Sequence, residues 1–267
     1  MKTIFITGAS SGLGKAAVEL FATKGWKVIA TMRAPGKQQE LGGIPNVTLL
    51  PLDVTDPKQI TTTVEKAVAL GKIDVVFNNA GYGLMGPLEA ISDAQIGRQL
   101  DTNLLGVIRV IQAFIPHFRE SGGGLFITTT SIGGHVAFPF STLYHASKWA
   151  LEGFSESLSF ELRPFGISVK TVAPGGIATD FAGRSLDLAK HEAYQGAFDH
   201  MVTTAFKDAD SLFSSAGEIA EVVYAAAIDG EDRVHYVAGP DANALYARRT
   251  EIGAEAARRE IGQTFLG

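Results

Sequence analysis

The sequence predicts an α/β fold, a doubly wound parallel sheet of about seven strands with helices on both faces. Short β-rich runs at 3–7, 27–32, 48–52, 74–77, 125–130, 167–173 and 235–237 alternate with helical patterns, as expected of a parallel sheet covered on both sides. The first run leads at once into Gly8-Ala9-Ser10-Ser11-Gly12-Leu13-Gly14 and then into a helical pattern through Val18, Leu20, Phe21 and Ala22. No proline-rich, serine-rich or charged linker divides the 267 residues, so a single domain, 1–267, is expected.

Strand, glycine loop and helix in that order make a site for a pyrophosphate. Glycines let the backbone approach closely, and the amides and positive dipole end of the following helix favour negative charge. Gly8, Ser10, Ser11, Gly12, Leu13 and Gly14 are the candidate contacts. Their Gly-x-x-x-Gly-x-Gly spacing differs from the common Gly-x-Gly-x-x-Gly fingerprint.

The second strand ends Ala30-Thr31-Met32-Arg33, and no Asp or Glu occurs between Glu19 and Glu40. An acid about 20 residues beyond the loop would hold the ribose hydroxyls of NAD, whereas an arginine accommodates a 2′-phosphate. Arg33 offers planar, charge-assisted hydrogen bonds to such a phosphate. The expected cofactor is therefore NADP(H), with NAD(H) in a secondary role.

The stretch 142–163 reads as a helix, with Leu143, Ala146, Trp149, Ala150, Leu158 and Leu162 near helical spacing and Pro164 and Gly166 closing it. Tyr144 and Lys148 lie four apart on it and share a face, and Ser131 stands thirteen residues before Tyr144. A phenol with a pKa near 10 is a poor acid-base group at neutral pH, and a neighbouring cation favours its phenolate. Phenol, ammonium and hydroxyl together suit proton transfer at a carbonyl or alcohol.

With these residues in order, the chain resembles a short-chain dehydrogenase/reductase of Rossmann fold, over roughly two thirds of its length. Further segments carry the resemblance: Asp53-Val54, where the family contacts adenine; Asn78-Asn79-Ala80-Gly81, which borders the nicotinamide side; and Pro174-Gly175 with Ile177 and Thr179, beside the carboxamide. Asn103, in Thr102-Asn103-Leu104-Leu105-Gly106, sits where the family has a fourth catalytic residue beside Ser131, Tyr144 and Lys148. The resemblance implies that Tyr144 exchanges the proton, Ser131 orients the carbonyl, Lys148 holds the ribose and lowers the Tyr144 pKa, and Asn103 helps hold a water.

The expected substrate is a small hydrophobic or aromatic ketone, aldehyde or alcohol. Residues 180–215 match the family's variable substrate-covering segment, and His135, Phe138 and Phe181 are candidate substrate contacts. The chain beyond Gly239, 240–267, reads as a helical extension and resembles the hydroxysteroid- and retinol-type branch. A 3-oxoacyl thioester reductase is the alternative within the family, and an NADP(H)-binding regulator without turnover the alternative outside it. The four catalytic residues weigh against the regulator.

A net charge of −5 without a Lys/Arg stripe argues against nucleic acid and anionic membranes. The segment 122–147 lacks Asp, Glu, Lys and Arg, but its glycines, Pro139 and hydroxyls make it a poor membrane helix. The six histidines show no tight metal-ligand spacing, and no metal is expected. The absence of cysteine and of a long apolar run before Gly8 gives a cytoplasmic expectation. Family resemblance implies a homodimer or homotetramer, with Trp149, Gly153 and Phe154 as candidate contacts.

Overall fold

A computed structural model describes residues 1–178, 185–207 and 212–267. Seven strands form one parallel sheet: β1 (Thr3–Ile6), β2 (Lys27–Met32), β3 (Val47–Pro51), β4 (Val75–Asn78), β5 (Gly124–Thr129), β6 (Ile167–Pro174) and β7 (His235–Ala238). In space they run β7-β6-β5-β4-β1-β2-β3. The order reverses between β1 and β4, and in open α/β sheets the crevice at the carboxyl ends of the strands at such a point is where ligands bind.

The longer helices among the described residues are α1 (Gly12–Thr23), α2 (Pro57–Ala69), α3 (Asp93–Leu100), α4 (Gly106–Glu120), α5 (Thr142–Leu162), α6 (Gln195–Phe206), α7 (Ala216–Ile228), α8 (Pro240–Ile252) and α9 (Ala254–Leu266). The strands sort their side chains by the period of two that pleating imposes. Ile4, Ile6, Val28, Ala30, Val75 and Phe77 point to one face, where Ala17, Val18 and Phe21 of α1 meet Ile219, Ala220 and Val223 of α7. Phe5, Ile29, Val76 and Phe126 point to the other, against Ile60 and Val64 of α2, Val110 and Phe114 of α4, and Leu151 and Leu158 of α5. Burial on both faces explains why the strands read as nearly continuous apolar runs.

Local signals set the helix ends. Asp56 caps α2 by accepting from the Lys58 and Gln59 amides, with Pro57 in the first turn. Ser92 and Gln95 form a capping box on α3, and Ser215 and Glu218 another on α7. Ser11, at the N-terminus of α1, makes no side-chain cap, leaving the first amides of that helix for another partner. Among the described residues no helix is long and apolar enough to cross a membrane.

Candidate active site

The glycine loop is shaped by close approach of backbone to backbone. Gly8 has φ 66°, and a Cβ there would stand 2.7 Å from the Ala80 Cα. A Cβ on Gly14 would collide with the Gly8 carbonyl and lie 2.6 Å from the Asn79 Nδ2. Asn79 ties the loop to β4, its Nδ2 donating to the Thr7 and Gly8 carbonyls at 3.2 Å each. The Thr7 hydroxyl accepts from the amides of Asn79 (3.0 Å) and Ala80 (3.1 Å). The result is a cradle of close-packed backbone over the uncapped end of α1, with the Gln38 side chain donating to the Ser10 carbonyl at 3.2 Å. Ser10, Ser11, Gly12 and Leu13 lie on the same loop and first turn.

Asp53 accepts at Oδ1 from the Thr55 amide and hydroxyl, at 3.0 and 2.7 Å, and its own amide donates to Gln59 Oε1. Val54 is buried beside it, so the turn after β3 presents a fixed edge. At the end of β6, the Gly176 amide donates to Asp241 Oδ2 at 2.7 Å. A side chain at Gly175 would have to displace the Asp241 carboxylate. Pro174, Gly175 and Ile177 are thereby held in place; Thr179 and Phe181 lie outside the described residues.

Ser131, Tyr144 and Lys148 come together. Ser131 follows β5 and begins a short turn by accepting from the Gly133 amide at 3.0 Å. The Ser131 hydroxyl beside the Tyr144 phenol favours the phenolate, but burial outweighs it and the phenol pKa is raised overall. The expected lowering by Lys148 is thus not the net effect in this structure. Lys148 Nζ donates to the Thr129 carbonyl at 2.9 Å and stands 5.7 Å from the Tyr144 ring centre. Burial depresses its pKa to about 8, against the opposing pull of the Glu152 charge.

Asn103 lies in a π-helical stretch, Asp101–Leu105, between α3 and α4. Its buried amide clasps the Tyr82 backbone, Oδ1 accepting from the Tyr82 amide at 3.0 Å and Nδ2 donating to its carbonyl at 2.8 Å. The side chain thereby fixes the chain after Gly81. Single π-turns inside helices occur frequently at functional sites.

The short chain dehydrogenase family pattern matches residues 2–189. The chain belongs to the short-chain dehydrogenase family. Human retinol dehydrogenase 8 is 34% identical over 231 residues, covering 81% of this chain and 73% of its own. The crystal structure of a short-chain dehydrogenase from Streptomyces avermitilis superposes with a TM-score of 0.87 at 28% identity, over 98% of this chain and 95% of its own. The structure of ElxO with NADP bound gives a TM-score of 0.77 at 25% identity, over 91% and 99%. As a short-chain dehydrogenase the chain is an oxidoreductase, and the cradle at the glycine loop fits a nicotinamide dinucleotide.

Within this short-chain dehydrogenase the candidate substrate contacts part company. His135 does not join the Ser131–Tyr144 pair: its Nε2 lies 3.3 Å from Glu152 Oε1, and its ring packs edge-on against Tyr246. Phe138 packs on His145 and, from α9, on Phe265. Phe140 adopts φ 59°, a conformation rare outside glycine, and its ring meets Tyr194 and Phe198. The covering segment is tied down elsewhere too, because Leu186–Leu188 pairs in parallel with Gly83–Met85.

The fold also corrects the expectation that the histidines form no tight cluster. His135 and His235, a hundred residues apart, both reach Glu152, and donor atoms of the three lie within 4.8 Å of one another. Glu152 Oε2 accepts from His235 Nδ1 at 2.8 Å and from the Thr171 hydroxyl at 2.9 Å. Both bonds fall on Oε2, while the buried Oε1 has no hydrogen-bond partner among the described residues. Against its burial, His135, His235 and the Thr130 hydroxyl hold the Glu152 pKa down at about 2.

Sequence reasoning missed Glu152 and His145. His145 Nδ1 lies 2.8 Å from the Gly133 carbonyl, and Nε2 accepts from the Phe138 amide at 3.0 Å. The ring is a neutral staple joining the Ser131 loop to the helix that carries Tyr144. A histidine adjacent to the Tyr-x-x-x-Lys pair was the available signal.

Proposed function

We propose that this oxidoreductase reduces a hydrophobic or aromatic ketone or aldehyde to the alcohol with NADPH, the reaction being reversible. The observation that carries the reading is the meeting of the Ser131 hydroxyl, the Tyr144 phenol and the buried Lys148, whose Nζ stands 5.7 Å from the Tyr144 ring centre. Ser131 accepts from the Gly133 amide and would turn its own proton from Tyr144 to the substrate carbonyl oxygen. Tyr144 donates its proton to that oxygen as negative charge develops there, and a phenol whose pKa is raised is in the protonated state that reduction requires.

Lys148, about nine-tenths charged at pH 7 for a pKa of about 8, stabilises the phenolate left behind and would hold the nicotinamide ribose. Asn103 fixes the wall after Gly81 by its grip on Tyr82. A bound reduced nicotinamide supplies the hydride; Gly8 to Gly14 would hold its pyrophosphate, Asp53 and Val54 its adenine, and Asn79, Pro174, Gly175 and Ile177 its nicotinamide side.

NADPH rather than NADH rests on Arg33. It is exposed at the end of β2 and has no ion-pair partner among the described residues, so its guanidinium is available to a 2′-phosphate. The apolar substrate class rests on Phe140, Tyr194 and Phe198 with Leu84 and Leu143. Trp149 and Gly153 are exposed on α5, in keeping with a homodimer or homotetramer across that helix, whereas Phe154 packs partly within the subunit. Ketones, aldehydes, alcohols and acyl thioesters tested with both nicotinamides by absorbance decide the reading. Turnover of apolar ketones with NADPH is expected, and turnover of acyl thioesters alone would overturn the substrate class.

A further inference from the structure

Glu152 stands one helical turn beyond Lys148 on α5, and both residues are 6% exposed. Residues four apart share a helix face. A buried carboxylate is costly unless paired and hydrogen-bonded, and here three other elements supply the partners. His135 comes from the turn after Ser131, Thr171 from β6 and His235 from β7. The Thr130 hydroxyl also favours the charged carboxylate. That turn packs directly against the helix at this level, since a Cβ on Gly134 would stand 3.1 Å from both the Glu152 Cγ and the Lys148 carbonyl.

We propose that Glu152 is a positioning residue for Lys148: its anchored carboxylate keeps the ammonium charged and in place beside Tyr144. The inference rests on the proposed role of Lys148 in holding the cofactor and serving Tyr144. Lys148 donates to a single carbonyl, that of Thr129, and burial pushes it toward its neutral form. Glu152 is the charge that opposes this.

The other titratable or charged groups facing the cluster are Glu156, 3.6 Å from His235 Nε2, Tyr246 against the His135 ring, and Tyr144. Arg233 donates to the His235 carbonyl at 2.8 Å. Glu152 is ionised down to about pH 2, so its charge is constant across the working range; His235, whose pKa the Glu152 carboxylate raises, titrates alongside Lys148, and the His235→Gln variant separates the two.

The experiment follows NADPH binding by fluorescence and carbonyl reduction by absorbance as functions of pH, in EDTA, for wild type, Glu152→Gln and Glu152→Asp. Glu152→Gln keeps the shape and removes the charge. Its alkaline limb is expected to fall by on the order of one pH unit, so that binding and kcat drop about fivefold at pH 8 and hardly at all at pH 6. Glu152→Asp, which restores the charge, should return the limb toward that of wild type even if kcat is lower throughout.

A folded Glu152→Gln protein whose loss is uniform in pH would overturn the inference, leaving Glu152 a structural residue. Should Glu152→Gln not fold, Glu152→Asp and His235→Gln both retain the carboxylate, and an alkaline limb displaced downward in both would overturn it equally. If the binding limb moves while no carbonyl is turned over by wild type, the inference stands and the reductase reading fails. If turnover is present and its limb stays fixed in Glu152→Gln, the reverse holds.

Discussion

The Phe138 amide donates to His145 Nε2 at 3.0 Å, and the same ring meets the Gly133 carbonyl 2.8 Å away at Nδ1. The loop that delivers Ser131 is therefore held to the helix that delivers Tyr144 by one neutral imidazole. Protonating Nε2 would remove the acceptor that Phe138 needs, and burial lowers the pKa of the ring.

Acid should loosen this staple. A base whose folded pKa lies below its ordinary 6.5 contributes stability that is fully present above 6.5 and is lost as pH falls through the folded value. His235, with a raised pKa, works in the opposite sense, its contribution being present below 6.5 and lost as pH rises, and His117 is also lowered. The measurement is therefore a difference: denaturant midpoints of wild type and His145→Leu at pH 7.5 and 5.5. The variant leaves the Phe138 amide and Gly133 carbonyl unpaired, so a loss of about 1–3 kcal/mol is expected at pH 7.5. The gap should narrow at pH 5.5, and a constant gap would show that His145 does not titrate as argued.

The glycine cradle makes a second prediction. A methyl at position 14 would meet the Gly8 carbonyl and the Asn79 amide, backbone and side chain that are both already hydrogen-bonded. Gly14→Ala should weaken NADPH binding by at least about tenfold and lower the melting temperature. Gly25→Ala is not a neutral control, because its φ of 80° strains any side chain; Gly97→Ala, in α3 with nothing within 4 Å, is. Equal behaviour of Gly14→Ala and Gly97→Ala in calorimetric binding would mean that the close approach at Gly14 does not shape the cofactor site.

The seven strands were legible because a sheet buried on both faces writes itself as short apolar runs, and each run found its strand to within a residue or so of either end. Tyr144 and Lys148 were legible because helical spacing alone puts them on one face. Glu152 was not, because its partners are contributed by two strands and a turn, with His235 83 residues away, and no periodicity records such a meeting. Phe140 hid for a different reason: its left-handed backbone is imposed by surrounding packing, and a phenylalanine carries no local signal for it. The π-turn at Asn103 likewise depends on how α3 runs into α4.

Removing the proton donor should separate binding from chemistry. Tyr144→Phe leaves the ring and takes away only the hydroxyl, so NADPH affinity should stay within about twofold. Turnover should fall by roughly 100- to 10,000-fold, as expected for loss of a general acid. Single-turnover absorbance and equilibrium fluorescence on the same preparation read both quantities. Turnover close to wild type would remove Tyr144 from the proposed mechanism.

Cofactor choice turns on Arg33. Because the 2′-phosphate is the only group that distinguishes the two nicotinamides, Arg33→Ala should weaken NADPH while leaving NADH nearly unchanged. Hydrogen bonds to charged groups contribute about 1.5–3 kcal/mol, and about 1.4 kcal/mol is tenfold, so the expected loss is roughly 10- to 150-fold in Kd. The neighbouring Met32 is a poor place to install an NAD-selecting acid. It is 4% exposed and packs in the core with Leu41 and Ala30, so a carboxylate there would be buried without a partner and would cost stability before it changed preference. Exposed Arg33 carries no such cost, which makes its alanine variant the cleaner test. If titrations show wild type favouring NADH, or Arg33→Ala weakening both cofactors alike, Arg33 does not anchor the phosphate and the NADPH assignment is withdrawn. The proton-transfer machinery at Ser131, Tyr144 and Lys148 would be untouched by that result, since it stands on separate residues at the far side of the switch between β1 and β4.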